Sequence, residues 1–440
     1  MPQRKFRVPT VTAVVVANMI GTGVFTSLGF QLLDLRSGFV LLALWVVGGI
    51  AALCGAMTYA ELGAALPRSG GEYNFLSRIY HPAAGFVSGW VSATIGFAAP
   101  TALAAITFAA YATSALDAVE PWLRKALACG LVVVLTAVHA GSRRGSGGLQ
   151  SLFTLLKVAV IVAFCIAATA AAPALQPVGF LPVEGDGALL LSGAFAVSLI
   201  YVSYAYTGWN AATYLSSELE EPQRTLPWIL LSGTAIVMLL YVALNYTFLA
   251  VAPMDAMVGQ VEVGFVAAEY AFGETGGRFT GLVLALLLVS TVSAMTVAGP
   301  RVLQVIGEDF RGFRALARTN ADGIPWLAIC LQSVLALTFI LTSTFESILV
   351  FAGFTLALNS FATVLGVFVL RARQPQLPRP FRVVAYPLPP LVYLALTGWT
   401  LGFVLVNRPL EGLVGLGVIA SGLLFYLLTR RFDRRLAAGG

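Results

Sequence analysis

Apolar residues run along this chain in long blocks separated by short polar segments, and the blocks have the length of membrane-crossing helices. A hydrocarbon core of about 30 Å takes roughly 20 helical residues. Twelve blocks meet that length, at approximately residues 9–36, 38–66, 82–115, 121–138, 149–170, 188–216, 225–251, 277–302, 325–343, 346–370, 388–406 and 410–430. Two of them are interrupted, by Gly21-Thr22-Gly23 in the first and Thr207-Gly208 in the sixth. A bilayer holds no water for unpaired N–H and C=O groups, so unwound backbone at mid-depth is tolerated only where it lines a cavity enclosed by protein. Breaks at matching places predict two five-helix repeats, 9–170 and 188–370, of opposite orientation because five is odd. Blocks eleven and twelve, 388–430, are appended behind the stiff basic loop from Arg371 to Pro387.

Composition agrees with the pattern. The chain has 440 residues, 58% hydrophobic and 10% charged, with a mean hydropathy of +0.87, which predicts an all-α integral membrane protein. If the N-terminus is cytoplasmic, twenty Lys and Arg residues fall on inner segments and five on outer ones (Arg36, Arg124, Lys125, Arg278 and Arg408). Residues 1–8 and 431–440 are therefore expected to be cytoplasmic ends of a multi-pass protein of the cell membrane. The net charge of +6 is spread over many short loops, which excludes a nucleic-acid surface. Met1 to Arg7 precedes a block too long for a signal-peptide core, so no processing is expected. Cys54, Cys129, Cys165 and Cys330 all lie in apolar blocks with no ligand spacing, and neither a disulfide framework nor a metal or cofactor is expected. The sequon from Asn245 to Thr247 lies inside the seventh block, out of reach of glycosylation. There is no HExxH or GxSxG motif, and no pair of ionisable groups at one depth for acid–base work, which argues against an enzyme.

Five ordered motifs carry a resemblance. They are Ile20-Gly21-Thr22-Gly23-Val24-Phe25; Tyr59-Ala60-Glu61-Leu62 with Pro67-Arg68-Ser69-Gly70-Gly71-Glu72-Tyr73; Tyr204-Ala205-Tyr206-Thr207-Gly208-Trp209-Asn210; Glu218-Leu219-Glu220-Glu221-Pro222; and Arg379-Pro380-Phe381-Arg382-Val383. Over nearly its whole length the chain resembles the amino acid-polyamine-organocation superfamily, in particular the L-type amino acid transporter branch and its bacterial relatives. The resemblance implies a LeuT-type fold of twelve transmembrane helices, a 5+5 inverted repeat plus two C-terminal helices with helices 1 and 6 broken. It implies an α-amino acid as substrate, bound at Ile20, Gly21, Thr22, Gly23, Tyr204, Ala205, Tyr206, Thr207 and Gly208, with the carboxylate taken by backbone at Gly21, Thr22 and Gly23 and the ammonium by carbonyls near Tyr204, Ala205 and Thr207. A helix break supplies the same two kinds of group on physical grounds, since exposed amides suit an anion and exposed carbonyls a cation. Tyr204 aligns with an aromatic gate that is Phe in many members. Thr207 stands where L-type relatives often have Gly, which predicts a narrowed pocket for small or medium neutral side chains.

Lys157 is the only Lys or Arg near mid-membrane, about 12 Å into the fifth block at 1.5 Å per residue. An ammonium at that depth needs a partner or a watery route. The resemblance implies that it replaces sodium, bridging first-helix carbonyls and the eighth helix, or that it carries a proton. Ser290, Thr291, Ser293 and Thr296 offer hydroxyls on the eighth block; Ser293 is expected to face Lys157, with Ser290 and Asn359 as possible polar groups of the pocket. Glu61 is expected in a cytoplasmic ion-pair network, and His81 and His139 are not expected to relay protons. Gly85 with Gly89, and Gly398 with Gly402, read as packing within one protomer, with a monomer or weak dimer expected. The stretch after Gly307 departs from the family's Arg-Asp-Gly pattern, and the outer loop from Ala115 to Glu120 lacks cysteine, so no disulfide-linked heavy subunit is expected. The function expected is sodium-independent transport by alternating access, as exchanger or proton symporter. The alternatives are a transporter-like amino acid sensor, and a permease for an amine or a cationic amino acid.

Overall fold

Proline, glycine and small polar residues set the helix boundaries in this computed structural model, which describes residues 8–116, 120–141 and 146–438. The basic residues Arg4, Lys5, Arg7, Arg143 and Arg144, and the middle of the loop from Ala115 to Glu120, lie outside the described residues. So do the side chains of Glu218, Arg311, Arg431, Arg434 and Arg435. In chain order the helices are α1 (Val8–Met19), α2 (Gly23–Gln31), α3 (Gly38–Ala65), α4 (Gly71–Ile79), α5 (Pro82–Val91), α6 (Ala98–Ala115), α7 (Pro121–Gly141) and α8 (Ser146–Ala171). There follow α9 (Asp186–Leu190), α10 (Gly193–Tyr206), α11 (Pro222–Val251), α12 (Met254–Met257), α13 (Val263–Asp309), α14 (Trp326–Thr342), α15 (Phe345–Arg373), α16 (Leu388–Asn407) and α17 (Pro409–Ala438). Among the described residues nine helices are long and apolar enough to cross a membrane. Three shorter apolar helices, Leu155–Ala171, Gly193–Tyr206 and Trp326–Thr342, overlap the blocks at 149–170, 188–216 and 325–343.

Local chemistry explains the starts. Ser37, Ser192 and Thr344 each accept a backbone N–H three residues on, at 3.3, 3.1 and 3.1 Å, satisfying a donor that the first turn leaves unpaired. Pro82 opens α5, where its missing N–H costs nothing, and His81 caps it by accepting from Ala83 N at 3.1 Å.

The third block runs from Pro82 to Ala115 as expected, with a π-turn over Ser92–Gly96 between α5 and α6. Pro100 has no N–H to give to Gly96 four residues back, and its ring crowds that carbonyl, so the ladder widens there. The eighth block does need correction: it starts just past a kink at Gly273, whose φ is +74°, and runs on to Asp309, with a separate helical stretch from Val263 before the kink. The terminal segment 431–440 is helical as far as Ala438, a continuation of α17.

Helices pack in a regular scheme in which α2 lies against α10, α3 along α11, α6 along α13 and α7 against α14. α2 is buried along its whole length. Peripheral α7 and α8 instead expose Val133, Val134, Leu155 and Ile166, as a surface facing hydrocarbon should. Gly85 and Gly89 press on Ser77 and Tyr73 of α4, a packing role within the chain, whereas a side chain at Gly402 would meet nothing within 4 Å. Glu61, 1% exposed near the end of α3, holds Arg371 of α15 in a two-pronged pair at 2.8 and 2.6 Å. It also accepts Val383 N at 2.7 Å and has Arg379 at 3.6 Å, the ion-pair network expected of it.

Removing one member of such a pair strands the other's charge. Arg371→Ala is expected to cost about 3 kcal/mol, read as a lower thermal midpoint in detergent. An unchanged midpoint would show that Arg379 alone suffices.

Candidate functional site

Two helices lose their hydrogen-bond ladder at facing points. α1 ends at Met19 and α2 begins at Gly23; between them Gly21 N reaches back to Met19 O at 2.8 Å, and the side chain of Thr22 caps nothing. The first amides of α2 therefore have no side-chain cap and point their dipole end at whatever occupies the gap. α10 ends at Tyr206; Thr207 turns extended with ψ 141°, its hydroxyl folded onto Ser203 O at 3.1 Å, and Gly208 has φ +108°. A 3-10 turn over Ala211–Glu218 resumes the chain.

The breaks touch. A Cβ on Gly23 would come within 2.6 Å of Ala205 Cα, and one on Gly208 within 2.8 Å of the Asn18 carbonyl. Only hydrogen fits at either place. Gly21 differs, because a Cβ there would have only Met19 O for company, at 3.9 Å. That open side is a cavity of about 160 Å³ lined by Gly21, Thr22, Gly23, Tyr204, Ala205, Tyr206, Thr207 and Gly208. Its opposite wall comes from the π-turn and α6 (Ser92, Gly96, Phe97, Pro100) and from α15 (Gly353, Leu356, Ala357). Tyr204 lines it with Thr22 beside its phenol and packs into the apolar group of Phe30, Tyr201 and Phe351. Beyond that group Phe30 stacks on Phe345 with centroids 5.4 Å apart, and Tyr201 donates to Glu346 at 2.9 Å.

Of the residues expected from the sequence, Ile20 turns its side chain into the core and contributes its carbonyl, which accepts from Lys157 Nζ at 3.3 Å. Lys157 is 5% exposed and also donates to Thr291 Oγ1 at 2.8 Å. The expectation for Ser293 fails: its hydroxyl meets His139 Nε2 on α7 at 2.8 Å. Two positions along a helix are about 200° apart at 3.6 residues per turn, so only one of Thr291 and Ser293 can face α8. Ser290 returns to its own backbone at Leu287 O, 2.8 Å away, and is not among the residues lining this cavity. Asn359 is set back from the cavity wall as well, its amide donating to Glu72.

Two residues escaped the sequence reading. Tyr241 of α11 places its hydroxyl between Met19 O and Ala205 O, 3.1 Å from the latter, tying both breaks together. Glu72, the only acidic residue on the cavity wall among the described residues, gathers donors from three elements. Its place two residues after Gly70 in an otherwise small-residue segment was the available signal.

The family model described as amino acid permease matches residues 6–427. The chain is 28% identical to the large neutral amino acids transporter small subunit 2 of Mus musculus and of Homo sapiens, over 94% of this chain and 79% and 78% of theirs. It is 26% identical to the b(0,+)-type amino acid transporter 1 of Mus musculus, over 94% of this chain and 85% of that one. All of these are transporters by name. The first two are also called small subunits, a name that conflicts with the expectation of no disulfide-linked heavy subunit. A loop without a thiol bears on one covalent link and leaves non-covalent association open.

Gly208→Ala and Gly23→Ala are expected to abolish the monodisperse folded protein or lower its thermal midpoint by an amount equivalent to about 2 kcal/mol or more, from backbone clash and, at Gly208, from strain. Gly21→Ala should fold normally, since its neighbourhood is open. Equal stability of all three variants would mean that the breaks do not touch.

Proposed function

The chain belongs to the amino acid permease family, a family of multi-pass membrane transporters, and on that premise we propose that it carries small to medium neutral α-amino acids by alternating access without sodium. The observation that carries this is the uncapped start of α2 meeting the end of α10 around one cavity. A zwitterion needs amide donors and carbonyl acceptors a few ångströms apart, and the paired breaks provide both. In this reading the amides of Thr22 and Gly23 take the carboxylate; that of Gly21, the third amide expected there, is turned back onto Met19 O in this state. The ammonium meets carbonyls at Tyr204, Ala205 and Thr207; Ala205 O, although touched by Tyr241, keeps a second lone pair.

The packing scheme supports a LeuT-type inverted repeat. α2 on α10, α3 on α11, α6 on α13 and α7 on α14 pair each of the first four spans with the span five places later. That is the arrangement expected of two halves related by a two-fold axis in the membrane plane, with a site at their interface. Spans one, two, six and seven then rock as a bundle against the rest, and the Lys and Arg distribution supports a cytoplasmic side for both termini. The ammonium of Lys157, fixed between Ile20 O and Thr291, supplies the positive charge that a sodium ion would otherwise bring to the first break. The relatives named for large neutral amino acids agree with a neutral substrate.

Uptake of labelled amino acids into proteoliposomes tests the reading. Neutral amino acids should enter without sodium. An exchanger needs internal amino acid, whereas a symporter fills empty vesicles faster under an inward proton gradient. Binding without transport would favour the sensor, and dependence on sodium would overturn the role given to Lys157. Lys157→Ala is expected to lower uptake at least about tenfold, since a buried charge and its two bonds vanish beside the site; normal uptake by this variant would remove Lys157 from the mechanism.

A further inference from the structure

Glu72 has no task in the cycle described so far. Its carboxylate is buried, 4% exposed, at the first turn of α4. Oε1 accepts from the hydroxyl of Tyr59 on α3, from Asn210 Nδ2 just past the α10 break at 3.2 Å, and from Ser360 Oγ on α15 at 3.0 Å. Oε2 accepts from Asn359 Nδ2, also on α15. The titratable groups facing it are the phenols of Tyr59, of Tyr214 on the 3-10 turn and of Tyr393 on α16. Arg68 and Arg78, which flank it in sequence, are exposed, and none of its four hydrogen-bond partners is a cation.

Four donors fill the lone-pair positions of a carboxylate, so little is left for a cationic substrate group. A buried anion held only by neutral dipoles is, however, a group that a proton can neutralise without a competing ion pair. Burial pushes the Glu72 carboxyl above the ordinary carboxylate range, against the opposing pull of its donors. Protonation turns charge-assisted hydrogen bonds into neutral ones about half as strong. The hydroxyls of Tyr59 and Ser360 can reverse and accept; the amides of Asn210 and Asn359 are left bonding a neutral oxygen.

We propose that Glu72 is a proton-binding site whose ionised form latches α15 to α3 and to the α10 break, and whose protonated form releases them. The inference rests on the transport reading, in which α3 and α10 belong to the rocking bundle and α15 to the part that stays. The latch sits at the end of the cavity away from the Phe30 and Phe345 stack, and the two ends must open in turn. Glu72 acts through these contacts as a positioning residue.

The test is counterflow of a labelled amino acid in proteoliposomes, with equal pH on both sides, from about pH 5 to about pH 8, upward from the ordinary carboxylate range. The wild-type rate should rise at least about threefold as the pH falls, because release of the latch becomes easier. Glu72→Gln imitates the protonated group: its amide oxygen can take the three donors of Oε1, and its Nε2 can face the flipped amide of Asn359. This variant should run at the low-pH rate throughout, whereas Glu72→Asp should keep a titration. Lys157 remains native in every sample. A wild-type rate independent of pH overturns the proposal and needs no variant, as does a Glu72→Gln protein that keeps the wild-type slope. Equilibrium binding of the same amino acid to wild type separates the two readings: no binding defeats transport itself, and binding with an unaltered slope in Glu72→Gln defeats only the latch.

Discussion

Everything at the centre of this molecule depends on backbone touching backbone where two helices have come undone. Gly23 against Ala205 and Gly208 against Asn18 are contacts that a methyl group on either glycine would forbid. In hydrocarbon the freed polar groups need partners, and the partners are distributed unevenly. The carbonyls of Met19, Ile20 and Ala205 are met by Tyr241 and Lys157, side chains from α11 and α8. The amides that open α2 have no side-chain cap. Acceptors of the first break are thus met from within the protein, while the amides that open α2 carry the positive end of its dipole without a side-chain cap.

This uneven finish gives the surrounding helices distinct duties. The paired packing of α3 with α11 and α6 with α13 brings the two halves together along their length, so the breaks are held by scaffolding on both sides. The π-turn of Ser92–Gly96 is a third relaxation of helical geometry, and it faces the same cavity. Irregular backbone in a membrane protein gathers where protein encloses it, and here all three irregularities share one enclosure.

How much of this was legible in the sequence follows from what each feature needs. The breaks were visible because glycine and threonine interrupt apolar runs, and Lys157 because a charge among apolar residues stands out at any depth. Its partner on α13 was not, because Ser290, Thr291, Ser293 and Thr296 all lie within two turns and composition carries no rotational phase; the structure selects Thr291 and turns Ser293 to His139. Pro100 with Gly96 was a readable sign of the third break, masked by the uninterrupted hydropathy around it. Tyr241 could not be found from its neighbours, since its role is set by carbonyls more than thirty and more than two hundred positions away. Glu72 sat within a quoted motif, but its four donors come from segments far apart in the chain.

A zwitterion brings no net charge to the cavity, and on the proposed reading this limits how binding can drive motion. A substrate shifts a two-state equilibrium only through different affinities for the two states. The groups assigned to its carboxylate and ammonium lie on α2 and α10, which move together, so those contacts are the same in both states and cannot choose between them. The difference has to come from the facing wall, the π-turn, α6 and α15, which approaches or recedes as the bundle rocks. Selectivity for the side chain and control of the motion are therefore located on the same surface, around Gly96, Phe97, Gly353 and Leu356, while the breaks themselves recognise what all α-amino acids share.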